Sequence, residues 1–481
     1  MTLTHSIANA LSGLQASARG VQTASANIAN AMVEGYAPRQ LTLSSNTAGA
    51  GGGVRITGIR RDNDPVLTGM LRQSGAELAA ADAAAGFWGH IAGAVGEPGK
   101  GDSLVGRVTA FENALDAAAD RPDLDYLLAG AARAAGELAR AINRASDGIQ
   151  AQRQEADAAI ASDVERLNDG LKRVAGLNAD ILRRHAVGDP ALDLVEKREM
   201  LVSDLSEIVP LREQIRPDGR LALYSAGGQM LLDGAEPMRL GFLRGATITP
   251  GMSREGGQLS GLTLDGQAVP AGAQAPMGGG RLGAHFDIRD ELGPNAQEQL
   301  DRLAADLLAR FSDPANDPSL QGDAAGLFTD DGTAPGNPPA AGLAGRVSLH
   351  EVLTPAGGAE YWRLRDGLGA TAPGAAGEPA QLRRWLDAAE APLAAIPGAA
   401  AQSLASHAGT LTGSIGENRH TAETGRGFAR GRHDTLFERM LARGVDTDAE
   451  MQRLMTLEKA YAANARVMQV ADDLLRRLLE I

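Results

Sequence analysis

Leu454-Met-Thr-Leu457-Glu-Lys-Ala-Tyr461-Ala-Ala-Asn464-Ala-Arg-Val-Met468-Gln-Val-Ala471-Asp-Asp-Leu-Leu475-Arg-Arg-Leu478 closes the chain with a seam residue at every third or fourth position. From Leu454 to Leu478 the steps alternate 3, 4, 3, 4, 3, 4, 3, the period of a helix presenting a narrow stripe to one partner. Asn464 lies on that stripe, where a polar residue fixes register at some cost in stability. Asp446 or Asp448 is placed to accept from the free amides of the first turn. The opposite end of the chain has the same habit. Leu3, Ile7, Leu11, Leu14, Ala18, Val21, Ser25, Ile28 and Met32 follow steps of 4, 4, 3, 4, 3, 4, 3, 4. Glu34-Gly35 is expected to stop this helix, with Gly as its C-terminal cap, and Pro38 to prevent its return. Two matching seams, more than 400 residues apart, predict that the ends of the chain pair as the two halves of an α-helical coiled coil.

Between them the pattern changes several times. Residues 41–70 read as Gly-rich and irregular, turning β-like at Val54-Arg-Ile-Thr-Gly-Ile59. Residues 71–210 read as helical, with Val164, Leu167, Leu171, Val174, Asn178 and Ile181 on one face. Leu194, Arg198, Leu201, Leu205 and Ile208 continue that habit after a break at Gly188-Asp-Pro190. Residues 211–285 read as β, with turns at Pro217-Asp-Gly219 and Asp265-Gly266. Helix returns at 290–311, where Leu300, Leu303, Leu307 and Phe311 share a face. Residues 312–400 read as loops, short strands and one short helix near 380–390, and 401–443 as mostly helical. The expected fold is mainly α with a β-rich outer part, elongated and nested, with both terminal helices at one end. The expected division is a terminal-helix domain (1–40 plus 444–481) and a helical shaft (41–210, 286–311 and 401–443). A β-rich outer domain (211–285) and a Gly/Pro-rich region (312–400) that the pattern assigns to neither complete it.

The totals exclude more than they assign. The chain has 481 residues and a formal net charge of -14, a balance opposed to nucleic-acid binding, which needs clustered Lys and Arg. It has no cysteine, so disulfides, thiolate catalysis and Cys-based metal sites are absent. Aromatics are 3%, and Ala, Leu and Gly carry the composition, which favours close helix-on-helix packing. No apolar run approaches the roughly 18–20 residues of a membrane span. Met1-Thr-Leu-Thr-His-Ser lacks the basic start of a secretory signal. Neither a membrane partner nor a cleaved signal is expected.

A search for chemistry leaves little. Gly93-Ala-Val-Gly96-Glu-Pro-Gly99-Lys100-Gly101-Asp-Ser103 misses the phosphate-loop spacing, with Ala94 where Gly is needed and Gly101 where Ser or Thr is needed. It reads as a solvated turn. Gly49 to Gly53 has no helix behind it and reads as a linker. Asp313 to Asp323 is acidic, but its spacing and its two prolines oppose a calcium loop. The eight histidines are scattered without a metal-ligating pair, and no nucleophile elbow occurs. Arg183-Arg184, Arg383-Arg384 and Arg476-Arg477 read as solvated helix faces. No catalytic, cofactor-binding or metal-binding residue is assigned, and no enzymatic activity is expected. A soluble helical enzyme is the rival from another class; it would need a cluster of titratable groups in a pocket.

Two stretches carry a resemblance. Ala24-Ser-Ala-Asn27-Ile-Ala-Asn30-Ala-Met-Val-Glu-Gly35-Tyr36 resembles the N-terminal signature of flagellar rod, hook and hook-associated proteins. Gly444-Val-Asp446-Thr-Asp448-Ala-Glu450-Met, followed by Leu457 to Leu474, resembles the other end of the same proteins. In the interior, Leu194-Val-Glu-Lys-Arg198-Glu-Met-Leu-Val202-Ser-Asp-Leu205-Ser-Glu-Ile-Val209 is similar to the hook-associated protein 1 family. Gly280-Arg-Leu-Gly283 and, less closely, Gln321 to Phe328 are similar to it as well. Hook and rod proteins turn to β soon after their first helix, whereas this chain reads as helical to about residue 210. Tyr36-Ala-Pro-Arg39-Gln40 has one residue more than the family pattern, and residues 312–400 match poorly.

The resemblance implies a structural subunit at the junction of the flagellar hook and filament, secreted through the flagellar export channel from the cytoplasm. It implies, as partners, a ring of copies of the chain, the hook protein below, the next hook-associated protein above, and an export chaperone at the C-terminal helix. Another axial protein of hook or rod type is the alternative. The expected assembly interface comprises Leu3, Ile7, Leu11, Leu14, Val21, Asn27, Ile28 and Asn30 at one end, and Leu454, Leu457, Tyr461, Asn464, Met468, Leu475 and Leu478 at the other.

Overall fold

The periodicity read at 164–181 is part of a 62-residue helix, the longest element of the computed structural model, about 93 Å long at 1.5 Å per residue. The structure describes residues 3–33, 35–46, 52–97, 99–322, 324–334, 336, 340–393 and 400–479, except for the side chains of Leu3, Leu478 and Leu479. In chain order it begins with α1 (Leu3–Ala29), β1 (Arg39–Ser45), β2 (Val54–Arg61), α2 (Pro65–Val95), α3 (Leu104–Asp120), α4 (Asp125–Ala186) and α5 (Leu192–Ile208). Seven short strands follow: β3 (Leu211–Ile215), β4 (Leu221–Ser225), β5 (Met230–Asp233), β6 (Glu236–Pro237), β7 (Leu240–Gly241), β8 (Leu262–Leu264) and β9 (Gln267–Val269). Then come α6 (Gly280–Asp287), a π turn (Ile288–Leu292), α7 (Gly293–Ser312), β10 (Phe328–Asp330), β11 (Val347–Leu349), α8 (Arg363–Asp366), α9 (Ala380–Glu390), α10 (Leu404–Leu441) and α11 (Thr447–Leu479). The molecule is mainly helical, with four small antiparallel sheets among the described residues: β1-β2, β3-β4-β5-β6, β7-β8-β9 and β10-β11. No helix among the described residues is long and apolar enough to cross a membrane.

Local chemistry sets the helix starts. Asp64 accepts from Val66 N and Leu67 N at 3.0 and 3.1 Å, with Pro65 opening α2. Ser103 caps α3. Residues 96–103, with Pro98 outside the described set, therefore form a capped link between α2 and α3. Asp446, one of the two expected caps, accepts from Asp448 N and Ala449 N at 3.0 Å and starts α11.

Two apolar cores are strung along α4. The first joins Leu128 to Ala156 of α4 with α2, α3, α7, α9 and the start of α10. The second joins Ile160 to Ala175 with α5, α6 and the sheets of β3–β9. Where they meet, Arg153, Asp157 and Arg289 are fully buried. Arg289 donates to Asp157 Oδ1 at 2.8 Å, and Arg153 Nε donates to the Arg289 carbonyl at 2.9 Å. Arg153 also reaches the carbonyls of Thr249 and Met252. Buried charge persists only when paired and hydrogen-bonded, and here it holds the loop 245–252 to the helix. Similarly, buried Asn178 and Arg198 bind one another at 2.7 Å and bind the backbone at Gly219, Leu221 and Gly234, docking the β3–β4 turn on α4 and α5.

Several boundaries differ from the sequence reading. Residues 39–45 and 54–61 pair as antiparallel strands and α2 starts at Pro65, so these parts of 41–70 are regular; residues 47–51 lie outside the described residues. Leu41 pairs with Ile59 and Leu43 with Ile56 across a bulge at Thr42/Leu43, which breaks the strict alternation a strand would show in sequence. The first helix ends at Ala29, before Glu34-Gly35; Glu34 lies outside the described residues. Helix resumes at Gly280, so 280–285 is not β, and the helix expected at 290–311 is entered through the π turn. The apolar residues of 312–390, including Leu320, Phe328, Leu353 and Trp385, join the first core. Phe311 gathers Phe111, Phe328 and Trp385 at ring separations of 5.4–5.5 Å. The acidic loop is likewise structural: buried Asp317 accepts from Ser319 N, Ser319 Oγ and Leu368 N.

Candidate assembly interface

Helices α1 and α11 lie side by side and antiparallel. A Cβ built on Gly13 would stand 2.6 Å from Asn464 Nδ2, and one on Gly20 2.9 Å from Leu457 Cδ1. Asn27 donates to Glu450 at 2.9 Å. Each contact lies seven residues along both helices from the last, so one register runs through the pair. The positions of α1 turned toward α11 are small: Ala10, Ser17, Gly20, Ala24 and Asn27 are all buried. Small side chains let the two backbones approach closely.

The large residues of α1 occupy the next stripe. Ile7, Leu14, Val21 and Ile28, also seven apart, are half-buried; the last three each follow a position that faces α11. Leu11 is exposed, and Met32 is 98% exposed. Asn27 is buried and Asn30 half-buried. On α11, Leu454, Leu457, Asn464 and Met468 are half-buried along the side nearest α1, while Tyr461 and Leu475 are exposed. The backbones of Leu3 and Leu478 lie in α1 and α11, but their side chains are outside the described residues.

Asn27 is the joint of this arrangement. Its Nδ2 donates to the Arg39 carbonyl and to Glu450 Oε1, both at 2.9 Å. Its Oδ1 accepts from the Tyr36 hydroxyl at 2.8 Å and from Arg39 N at 2.9 Å. An amide side chain has two donors and two acceptor sites, and all four are used to tie α1, the turn, β1 and α11 together. The other oxygen of Glu450 is buried without a partner. Burial raises the Tyr36 hydroxyl pKa against the opposing pull of the nearby Arg39 guanidinium, which lies 5.2 Å from the ring centre. Asn30, the second asparagine of the motif, donates only to Ala26 of its own helix at 2.8 Å.

The base of the pair is fixed to the second core by charge. Arg39 reaches Glu196 at 2.9 Å, Arg61 reaches Glu196 at 3.3 Å, and Arg61 makes a two-pronged contact with Glu199. Arg72 pairs with Glu213 and donates to the Glu199 carbonyl at 2.9 Å. The Leu194–Val209 segment therefore does more than supply an apolar face: Glu196 and Glu199 receive the hairpin. Sequence reasoning missed Arg39, Arg61, Glu196, Glu199, Gly13 and Gly20. The glycines had a signal, since they recur seven apart with Asn27; the ion pairs had none, because their partners are more than 130 residues distant.

Comparison with known proteins gives this geometry a context. The family described as flagellar hook-associated protein FlgK helical domain matches residues 91–326, and the flagellar basal body rod FlgEFG protein C-terminal family matches residues 440–481. Flagellar hook-associated protein 1 of Salmonella typhimurium is 30% identical over 246 residues, covering 49% of this chain and 43% of that protein. The chain thus spans under half the length of that relative. Its counterpart in Bacillus subtilis is 23% identical over 97% of this chain and 96% of that protein. Among solved structures, the flagellar hook junction protein FlgK from Burkholderia pseudomallei overlaps 54% of this chain and 46% of its own at a TM-score of 0.46 and 19% identity. The interior of the chain is thus similar to the helical domain of flagellar hook-associated proteins, its C-terminal end to the flagellar rod family, and relatives similar to it are flagellar hook-associated protein 1.

Proposed function

We propose that the chain is a structural subunit of the bacterial flagellum that forms the junction between hook and filament by packing its terminal helices against those of neighbouring copies. The observation that carries this reading is the stripe Ile7, Leu14, Val21 and Ile28, which α11 leaves half-covered. At about 25 cal/mol per Å² of apolar area, completing the burial of four such side chains is worth roughly 3–6 kcal/mol per copy. In this reading α1 and α11 form a coiled coil in the inner wall of a tube, completed by its neighbours. Residues 1–40 plus 444–481 act as the tube-core domain and the two cores strung on α4 as outer layers. The interface residues are those of the two seams, Leu3 and Leu478 included.

The partners that follow are further copies in a ring, the hook protein below, the next hook-associated protein above and an export chaperone at α11. The protein would reside in the flagellum after export from the cytoplasm. The match at residues 440–481 alone would fit other axial proteins; the interior match at 91–326 favours the hook-associated type. Leu14→Asp with Val21→Asp tests the reading in cells lacking the native protein. The two cores of the variant should melt as they do in the native chain, since Leu14 and Val21 belong to neither, and the variant should be secreted while filaments are lost from hooks. Normal filaments, counted by electron microscopy, would overturn it.

A further inference from the structure

The chain has only eight phenylalanines. Six lie in or against the two cores, and the other two, Phe428 and Phe437, stand on α10 with exposures of 77% and 43%. Nine residues at about 100° each put them on opposite flanks of the helix. Phe428 borders a groove of about 470 Å³ floored by Met70 and Leu436 and edged by Thr435, Arg432 and Arg439. Beside it runs a flat shelf. Gly409, Gly413, Gly416, Gly427 and Gly431 fall within an arc of about 60°, and a Cβ on any of them would meet nothing within 4 Å. Glycine weakens a helix relative to alanine, and no contact within this chain requires it at these positions. The charges differ between flanks. Arg439 makes no ion pair among the described residues, while Arg432 pairs with Glu77 at 2.7 Å. Around Phe437 and exposed Leu441 stand Asp434 and Glu438, and Glu438 too has no ion pair among the described residues.

We propose that α10 is a second contact between copies of this chain. Phe437 and Leu441 of one copy seat beside Phe428 on the glycine shelf of the next, with Asp434 and Glu438 facing Arg439. Exposed aromatics flanked by complementary charge are the usual anchors of such contacts. Phe428 and Phe437 lie on opposite sides of α10 with the glycine shelf between them, so a copy whose Phe437 is engaged keeps its Phe428 side open to a further neighbour, which allows a ring or a helical array. The proposal rests on the structural-subunit reading and adds a lateral site outside the terminal helices.

The absence of native cysteine makes the test clean. Thr435→Cys and Leu441→Cys are placed in the full chain, singly and together, and sheared flagella are oxidised and run on a non-reducing gel. Within one copy the two positions are about 9 Å apart along the helix axis and beyond disulfide reach. The double variant is expected to give a ladder of dimers and higher species, and either single variant none. Gly431→Leu in the double background should fold with unchanged circular dichroism and weaken the ladder about tenfold, because the added side chain occupies the shelf on which Phe437 would seat. If the native chain is missing from sheared flagella, the structural-subunit reading itself falls. If the chain is present but the double variant gives no ladder, only the α10 contact is overturned. Dimers from a single variant, or an unchanged ladder with Gly431→Leu, overturn it as well.

Discussion

Replacing Asn27 by alanine should open the terminal helix pair while the rest of the molecule stays folded. The change deletes four hydrogen bonds of 2.8–2.9 Å. It also strands the groups they satisfied: the Arg39 amide and carbonyl and the Glu450 carboxylate. A neutral hydrogen bond contributes about 1 kcal/mol and one to a charged group about 1.5–3 kcal/mol. The Tyr36 hydroxyl is only half-buried and can turn to water, and Arg453 at 4.0 Å partly compensates Glu450. A net loss of about 3 kcal/mol follows, or roughly 100-fold faster amide exchange across α1 at 1.4 kcal/mol per tenfold. Asn30→Ala is the control, because its side chain serves only its own helix, and exchange there should change less than about threefold. Hydrogen exchange read by mass spectrometry separates α1 from the two cores. Equal effects of the two substitutions, or an Asn27→Ala effect below tenfold, would refute the assignment of Asn27 as the joint.

Three further outcomes are expected. Gly20→Val should separate the helices, because even a Cβ there meets Leu457 at 2.9 Å; α1 exchange should rise while the cores melt normally, and unchanged exchange would refute the close approach. Burial is the main cause lowering the pKa values of His285 and His350, the latter with help from Arg363. As pH falls below the usual histidine range near 6.5, the unfolded chain therefore takes up protons that these native side chains resist, and stability drops. His285→Gln with His350→Gln should flatten urea stability between pH 6.5 and 5, and an unchanged slope would count against it. Asp317 is committed to three donors around Ser319 and Leu368, so Asp317→Ala should cost about 2 kcal/mol and calcium should not move the melting temperature; a calcium-dependent rise would contradict this.

How far the sequence reveals the fold depends on the distance over which each signal acts. Helix periodicity is local, so α4, α5, α7 and both ends were legible, as were the turns at Pro217-Asp-Gly219 and Asp265-Gly266. Of the α11 seam, Leu457 and Asn464 meet glycines of α1, whereas Tyr461 and Leu475 are exposed. On α1 the large seam residues Leu14, Val21 and Ile28 lie one position beyond those that meet α11. Of the residues expected at the interface Asn27 bonds α11, but the other close approaches are at Gly13 and Gly20, and hydrophobicity cannot flag a glycine that matters for what it lacks. Nor could periodicity tell Asn27 from Asn30, three residues apart in one motif. The hairpin 39–61 was half-legible because its bulge at Thr42/Leu43 breaks the alternation.

The Asn27–Glu450 bond spans 423 positions of sequence, and this sets an order of events in the life of each molecule. A ribosome makes α1 long before the helix that completes it. Throughout synthesis the N-terminal segment remains a short amphipathic stretch with no mate, a kind that is marginal alone in water. Closing so wide a loop in an unstructured chain would be slow. The neighbouring helices shorten it: α2 and α10 pack against each other, with Arg432 on Glu77 and Arg443 on Asp64. They deliver both tails to one place once the interior has folded. A nascent or truncated chain therefore carries an uncovered apolar tail, and only a finished one can zip it shut.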